Sequence, residues 1–206
     1  MLHRRSLLSV TGAVVLVGAS AVRNAAHADA AGDRATAFVK ATGDKLVGIV
    51  NGPGAAKQKR QALTQVIDNA VDVDGVAKFC LGRYWRQASP EQQKNYMDTF
   101  HQVLVSNITS KLGEYQGVRL TTNRASPDGE NVKVDTTVER PNNPPTDVQW
   151  LIGNAAGDPK IIDVIAEGTS LRLTQRSDYA SYLAHNNSNI DALISAMRQQ
   201  VQQSQG

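Results

Sequence analysis

The spacing of apolar residues changes period twice along this chain, and this change limits the fold more than any single motif. Up to Leu112 the apolar residues recur every three to four positions, as on one face of an α-helix. From Val118 to Ile152 they alternate with polar residues, as in half-buried β-strands. Helical spacing returns at Arg172. Helices, then strands, then helices predict an α+β domain.

One helix of the first block is especially well defined. Ser89-Pro90-Glu91-Gln92 combines an N-cap serine, a first-turn proline and a capping-box glutamine. The apolar stripe that follows contains Phe100, Leu104 and Ile108 at helical spacing. The other helices are predicted over 33–50, from Pro53 to Ala70, over 73–81, over 172–183 and from an N-cap at Ser188 onwards.

Four strands are predicted between the helical blocks. Turns at 126–129, 141–145 and 154–159 separate them, and these turns are rich in Pro, Gly, Asn and Asp. Because short turns join consecutive strands, we expect an antiparallel sheet with one apolar face.

The first 28 residues have the pattern of an export signal. Arg4 and Arg5 precede an apolar run over 7–21, and Ala26-His27-Ala28 supplies a small-x-small cleavage site. The paired arginines are also compatible with twin-arginine export, so the export route stays open. We therefore expect a cleaved signal peptide over 1–28, a single domain over 29–206 and a periplasmic protein.

The charge of the predicted mature chain argues against nucleic-acid binding. Without Arg4, Arg5 and Arg23, 19 of the 22 Lys and Arg residues remain, against 19 Asp and Glu. A nucleic-acid-binding domain usually carries a clear basic excess. Cys80 is the only cysteine, so no internal disulfide can form.

Residues that bind metals or act as nucleophiles are too dispersed to predict a catalytic, metal or cofactor site. After cleavage the only histidines are His101 and His185, without further ligands at suitable spacing. Asp72 and Asp74 are interpreted as part of a helix-capping turn, because they lack the other ligands of a calcium loop. No Gly-x-Ser-x-Gly nucleophile elbow is present in the sequence.

Asp163 is the carboxylate with two competing interpretations. Strict alternation places it on one strand face with Ile161 and Ile165, where it could act as an acid or base in a cone-shaped α+β enzyme. The alternative is a structural carboxylate paired with an arginine such as Arg83 or Arg86.

Several of these segments, in this order and spacing, resemble the MlaC, or toluene-tolerance, family of periplasmic phospholipid-binding proteins. The segments that carry the resemblance are Leu81-Gly-Arg-Tyr-Trp-Arg86, Ala88-Ser-Pro-Glu-Gln92, the helix of Phe100, Asp147-Val-Gln-Trp150 and Asp163-Val-Ile-Ala-Glu-Gly-Thr-Ser-Leu171.

The resemblance implies helices packed on one curved, four-stranded antiparallel sheet, similar to an NTF2-like cone with an apolar cavity for acyl chains. We expect Phe100, Leu104 and Ile108 to face the sheet across this cavity. The residues predicted to line it are Tyr84, Trp85, Phe100, Leu104, Ile108, Val134, Val148, Trp150, Ile152 and Ile165.

The resemblance also implies a function. A family member shuttles phospholipid between the outer membrane and an inner-membrane ABC-type complex and so maintains lipid asymmetry. Its expected partners are the phospholipid, that complex and an outer-membrane lipoprotein complex, and we expect a monomer without cofactor. Two alternatives remain: a hopanoid-associated carrier of the same family, or an NTF2-like enzyme that uses Asp163.

Overall fold

The computed structural model describes the backbone of residues 19–110 and 112–203, and the side chains of residues 30–110 and 114–203. Residues 1–18 of the predicted signal peptide therefore lie outside the described residues. The described α-helices are α1 (Ala19–Asn51), α2 (Ala56–Ala70), α3 (Val73–Leu81), α4 (Pro90–Thr109), α5 (Leu171–His185) and α6 (Ile190–Gln203). No helix in this part of the chain combines the length and apolar composition needed to cross a bilayer.

The start of α4 confirms the predicted capping box. The Ser89 hydroxyl accepts a hydrogen bond from the Gln92 amide at 3.2 Å, and the Gln92 side chain accepts one from the Ser89 amide at 3.0 Å. Two of the helix's free amide groups are thereby satisfied, which fixes where it begins.

Three predicted helix starts are wrong. Helix α1 begins at Ala19 and not at residue 33. Helix α2 begins at Ala56 and not at Pro53, because Gly54 follows the proline with φ of 129°, a backbone conformation that no helix contains. Helix α6 is capped by Asn189, whose Oδ1 accepts from the Ala192 amide at 3.0 Å. Ser188 has φ of 58° and cannot adopt the extended conformation of an N-cap.

The strands form one antiparallel sheet in the order β1-β2-β3-β4-β5. The strands are β1 (Arg119–Asp128), β2 (Asn131–Glu139), β3 (Thr146–Gly153), β4 (Lys160–Ala166) and β5 (Thr169–Ser170). The two-residue β5 was not predicted. It forms because Glu167 and Gly168, with φ of 52° and 79°, turn the chain back onto β4.

A β-bulge in β4 changes which residues share a face of the sheet. Ile161 lies opposite Ile152, whereas Asp163 lies opposite Leu151, so Ile162 is the extra residue. The prediction that Asp163 and Ile161 share a face is therefore wrong, while Asp163 and Ile165 do share one. We call the face of Ile152 and Ile161 the apolar face, and the face of Asp163 the reverse face.

The buried apolar residues form two separate clusters. The sheet cluster joins Ala35 and Val39 of α1 and Ala70 of α2 to the apolar face, and α1 lies across β1 and β2. The helical cluster lies among α3, α4, α5 and α6. At its centre the Tyr96 ring lies 5.9 Å from that of Phe100 and 6.2 Å from that of Tyr179, centroid to centroid.

Candidate functional site

The structure distributes the ten predicted cavity residues over both clusters. Tyr84, Trp85 and Phe100 belong to the helical cluster. Val134, Trp150 and Ile152 belong to the sheet cluster. The remaining four, Leu104, Ile108, Val148 and Ile165, belong to neither.

The expectation that Phe100 faces the sheet is wrong. Its ring packs against Tyr96 and Tyr179, inside the helical cluster. The apolar face of the sheet is instead covered by α1 and α2. Of the predicted stripe only Phe100 is buried, and the buried side of α4 instead carries Tyr96, Thr99, Phe100, Val103 and Ser106.

Burial divides the ten residues into two groups. Tyr84, Phe100, Val134 and Ile152 are fully buried and already packed against protein. The other six keep accessible apolar surface that a ligand could cover: Trp85, Leu104, Val148, Trp150 and Ile165, which are half-buried, and Ile108, which is 38% exposed. Ile165 pairs with Gln149 and so lies on the reverse face, apart from Trp150.

Trp150 is held in position by the neighbouring strand. Its indole Nε1 donates to Thr136 Oγ1 at 2.9 Å, and that hydroxyl donates to the Val148 carbonyl at 2.9 Å. The polar edge of the indole is thereby satisfied inside the sheet. The ring is thus fixed as a rigid, half-buried apolar surface on the apolar face.

The sequence did not predict a groove of about 770 Å³ between the α2–α3 connection, α4 and the start of β4. It is lined by Asp68, Val71, Asp72, Val73, Asp74, Met97, Asp98, His101, Gln102 and Lys160. A smaller groove of about 190 Å³ also borders on His101 and Gln102. None of the ten predicted residues lines either groove, because elements far apart in sequence form their walls.

Several polar groups of the larger groove already have partners within the protein. Asp68 Oδ1 lies 2.6 Å from His101 Nε2. Asp72 caps α3 by accepting from the Gly75 amide at 2.9 Å, which confirms the predicted capping turn. In the described part of the chain, no group of three or more His, Cys, Asp and Glu residues is arranged to hold a metal ion.

Asp163 is a structural carboxylate with several partners. Its side chain is 3% exposed and accepts from the Ser170 hydroxyl at 2.5 Å and from the amides of Arg172 and Val164 at 3.1 and 2.8 Å. Arg172 Nε lies 3.4 Å from Oδ2. The expectation of an arginine partner is confirmed, but the partner is Arg172 and not Arg83 or Arg86. The carboxylate thereby joins the end of β4 to the start of α5.

Cys80 lies within the helical cluster and is 1% exposed. Burial raises the pKa of its thiol to about 12, and the nearby charge of Asp163 acts in the same direction. Its Sγ donates a weak hydrogen bond to the Arg172 carbonyl at 3.6 Å. Cys80 is therefore a packing residue beside the Asp163–Arg172 pair.

We expect Cys80 to react about a thousandfold more slowly with iodoacetamide at pH 8 in the folded protein than in urea. The reactive thiolate forms only near the raised pKa, whereas an unfolded cysteine has a pKa of about 8.5. Mass spectrometry of the alkylated protein measures both rates on the same residue. Comparable rates in the two states would show that the thiol is accessible.

Comparisons with known proteins agree on one family. The family model described as MlaC protein matches residues 40–199. The toluene tolerance protein ttg2D of Pseudomonas putida is 28% identical over 135 residues, which are 65% of this chain and 63% of that protein. The intermembrane phospholipid transport system binding protein MlaC of Haemophilus influenzae is 22% identical over 138 residues, 65% and 64% of the two chains. The alignments thus span less than two thirds of either curated relative.

A solved structure shows the same fold. The phospholipid-binding protein from Ralstonia solanacearum, solved in complex with a phospholipid, superposes with a TM-score of 0.73. The match covers 84% of this chain and 99% of that one, at 23% sequence identity. The helices and the curved antiparallel sheet are therefore an arrangement already seen in an experimental structure.

Proposed function

The chain belongs to the MlaC family, and on that premise we propose that it is a periplasmic phospholipid carrier. It shuttles phospholipid between the outer membrane and an inner-membrane ABC-type complex and helps to maintain lipid asymmetry. Its partners in this role are that complex and an outer-membrane lipoprotein complex.

The observation that carries the proposal is the family match over residues 40–199. This range includes the last 12 residues of α1 and all of α4, the sheet and α5. It also includes the half-buried apolar residues Leu104, Val148 and Trp150, which retain surface for a ligand. In support, the Ralstonia protein of the same fold holds a phospholipid.

Apolar contact is enough to hold a lipid in such a protein. Each acyl methylene removed from water contributes about 0.8 kcal/mol, so ten of them contribute roughly 8 kcal/mol. No charged anchor is required for affinity of this size. Release of the lipid then requires a partner that opens the protein or offers an equally apolar path. A membrane complex that receives the lipid can be such a partner.

The enzyme alternative receives no support from the geometry of Asp163. Each carboxylate oxygen already has partners, and the side chain is only 3% exposed. A general base must lie within hydrogen-bonding reach of the proton that it removes. We therefore propose that the protein binds its lipid without changing it chemically.

Native mass spectrometry of protein purified from the periplasm tests the proposal. We expect one phospholipid per protein, chemically intact, on a chain that begins at Asp29. A hopanoid in its place would identify the family's alternative cargo. A lipid-free protein, or one that releases hydrolysed lipid, would contradict the carrier role.

A further inference from the structure

The last residue of α1 and the glycine after it form the one Asn-Gly pair of the sequence, Asn51-Gly52. Such a pair is especially prone to lose ammonia, because glycine has no side chain to shield its backbone nitrogen. That nitrogen bonds to the side-chain carbonyl carbon of the asparagine, and the side-chain nitrogen leaves as ammonia with the proton of the glycine amide. Water then opens the resulting succinimide ring to an aspartyl or an isoaspartyl residue.

The fold needs both residues of this pair where they stand. Asn51 Oδ1 accepts from the Gly117 amide at 2.7 Å, and its Nδ2 donates to the Val118 carbonyl at 3.0 Å. Only an amide side chain offers such an acceptor and donor on one planar group. At Gly52 a Cβ would lie 2.6 Å from the Gly48 carbonyl oxygen, so a larger residue does not fit. We call the contact of Asn51 with Gly117 and Val118 the α1–β1 joint, and a labile pair stands at its centre.

The same contacts protect the pair while the joint is closed. The Gly52 amide donates to the Gly48 carbonyl at 2.9 Å, so the attacking nitrogen is held in a hydrogen bond. The two bonds of the Asn51 side chain hold the carbon that would be attacked. The reaction therefore requires a local opening that breaks all three bonds. Three hydrogen bonds of ordinary net strength favour the closed state about a hundredfold.

The product of the reaction cannot restore the joint. An ionised carboxylate only accepts hydrogen bonds, so the Val118 carbonyl loses its donor and faces a second acceptor. A negative charge at the last residue of α1 also opposes the helix dipole. Lys59, whose Nζ donates to the Val50 carbonyl at 2.7 Å, offsets only part of that charge. Because α1 lies across β1 and β2, the modification loosens the end of the helix that covers the apolar face.

We propose that Asn51 is a site of spontaneous deamidation and that opening of the α1–β1 joint controls its rate. Water is the only co-reactant, and ammonia is the only molecule released. Because the step does not reverse, the modified fraction of the protein increases with the time that the joint has spent open. The proposal does not depend on lipid carriage, since it concerns the attachment of α1 to the sheet in any protein with this fold and this pair.

Peptide mapping of the aged protein tests the site. The purified protein is incubated at pH 8 with and without guanidinium chloride, and the tryptic peptide 46–57 is followed over time. Mass spectrometry detects the exchange of the amide for a carboxylate, and chromatography separates the aspartyl and isoaspartyl forms. We expect Asn51 to be modified about a hundredfold more slowly in the folded protein than in denaturant.

A variant outside the reacting pair tests the control by the joint. Gly117 has φ of 80°, and a Cβ there would lie 2.7 Å from Pro141, so Gly117→Ala displaces the backbone that Asn51 holds. We expect it to speed the modification of the folded protein about tenfold. The matched control is Gly129→Ala, at the opposite end of β1. Gly129 has φ of 63° with no described atom within 4 Å of a Cβ, so the variant strains the backbone without touching the joint.

The outcomes separate the parts of the proposal. An unmodified Asn51 in denaturant would overturn the site. Equal rates in folded and denatured protein, or in Gly117→Ala and Gly129→Ala, would overturn control by the joint. Asn51→Asp reproduces the aspartyl product, and the amides at the end of α1 should exchange hydrogen about tenfold faster in this variant. Unchanged exchange would show that the modification leaves the joint intact. None of these measurements depends on bound lipid, so this proposal and lipid carriage can fail separately.

Discussion

Replacing Asp163 by alanine is expected to lower the free energy of unfolding by about 3–5 kcal/mol. The substitution leaves the Arg172 guanidinium, whose side chain is 24% exposed, without the carboxylate that offsets its charge. It also removes the acceptor for the Ser170 hydroxyl and the Arg172 amide, at the junction of β4 and α5. Urea denaturation followed by circular dichroism measures the change.

Two further variants separate the contributions at this junction. Asp163→Asn keeps the shape and part of the hydrogen bonding, so it should lower the free energy of unfolding less than alanine does, while leaving lipid binding intact.

Asp98→Ala is the surface control. It breaks an exposed ion pair with Lys94 and should lower the free energy of unfolding by no more than about 1 kcal/mol. If Asp163→Ala costs as little as Asp98→Ala, the buried carboxylate does not join strand and helix as described. Loss of lipid turnover in Asp163→Asn with an intact fold would instead favour the enzyme.

Leu104→Trp is expected to abolish co-purification of phospholipid, if the carrier proposal is correct. Leu104 is half-buried and belongs to neither cluster, so a larger ring at this position occupies space that we assign to acyl chains. The cost to folding should be less than the 1–3 kcal/mol typical of an overpacked core. Native mass spectrometry measures the bound lipid, and urea denaturation measures the stability.

The neighbouring residue provides the matched control. Val103 is 3% exposed and belongs to the helical cluster, so Val103→Trp should cause the full overpacking cost and leave the lipid in place. If Leu104→Trp retains its lipid, the acyl chains lie elsewhere. If both variants lose lipid and stability equally, Leu104 is part of a solid core.

Local signals in the sequence predicted much of the fold. The capping box at Ser89 depends on residues three positions apart, and the structure contains both of its hydrogen bonds. The alternation of Val132, Val134 and Thr136 likewise predicted one buried side of β2. In each case the residues that determine the feature are neighbours in the chain.

Features that depend on distant partners could not be predicted in the same way. Periodicity placed Phe100, Leu104 and Ile108 on one stripe of α4, but only Phe100 of the three is buried, and α1 and α2 cover the sheet in place of that stripe. The bulge at Ile162 has no sequence signal, because Ile161 and Ile162 are both apolar, yet it puts Ile161 and Asp163 on different faces of the sheet. The arginine beside Asp163 was sought among residues before the strands and lies instead in the helix directly after them.

The division of the interior into a helical and a sheet cluster has a mechanical consequence. Each cluster consists of buried side chains that pack against one another, and close-packed protein interiors resist compression and distortion. Such a molecule yields most readily along the boundary between its two stiff bodies, where sliding need not disturb the packing of either. Shear at that boundary can then change the space between the two clusters. This costs less energy than rearranging side chains within a single continuous core.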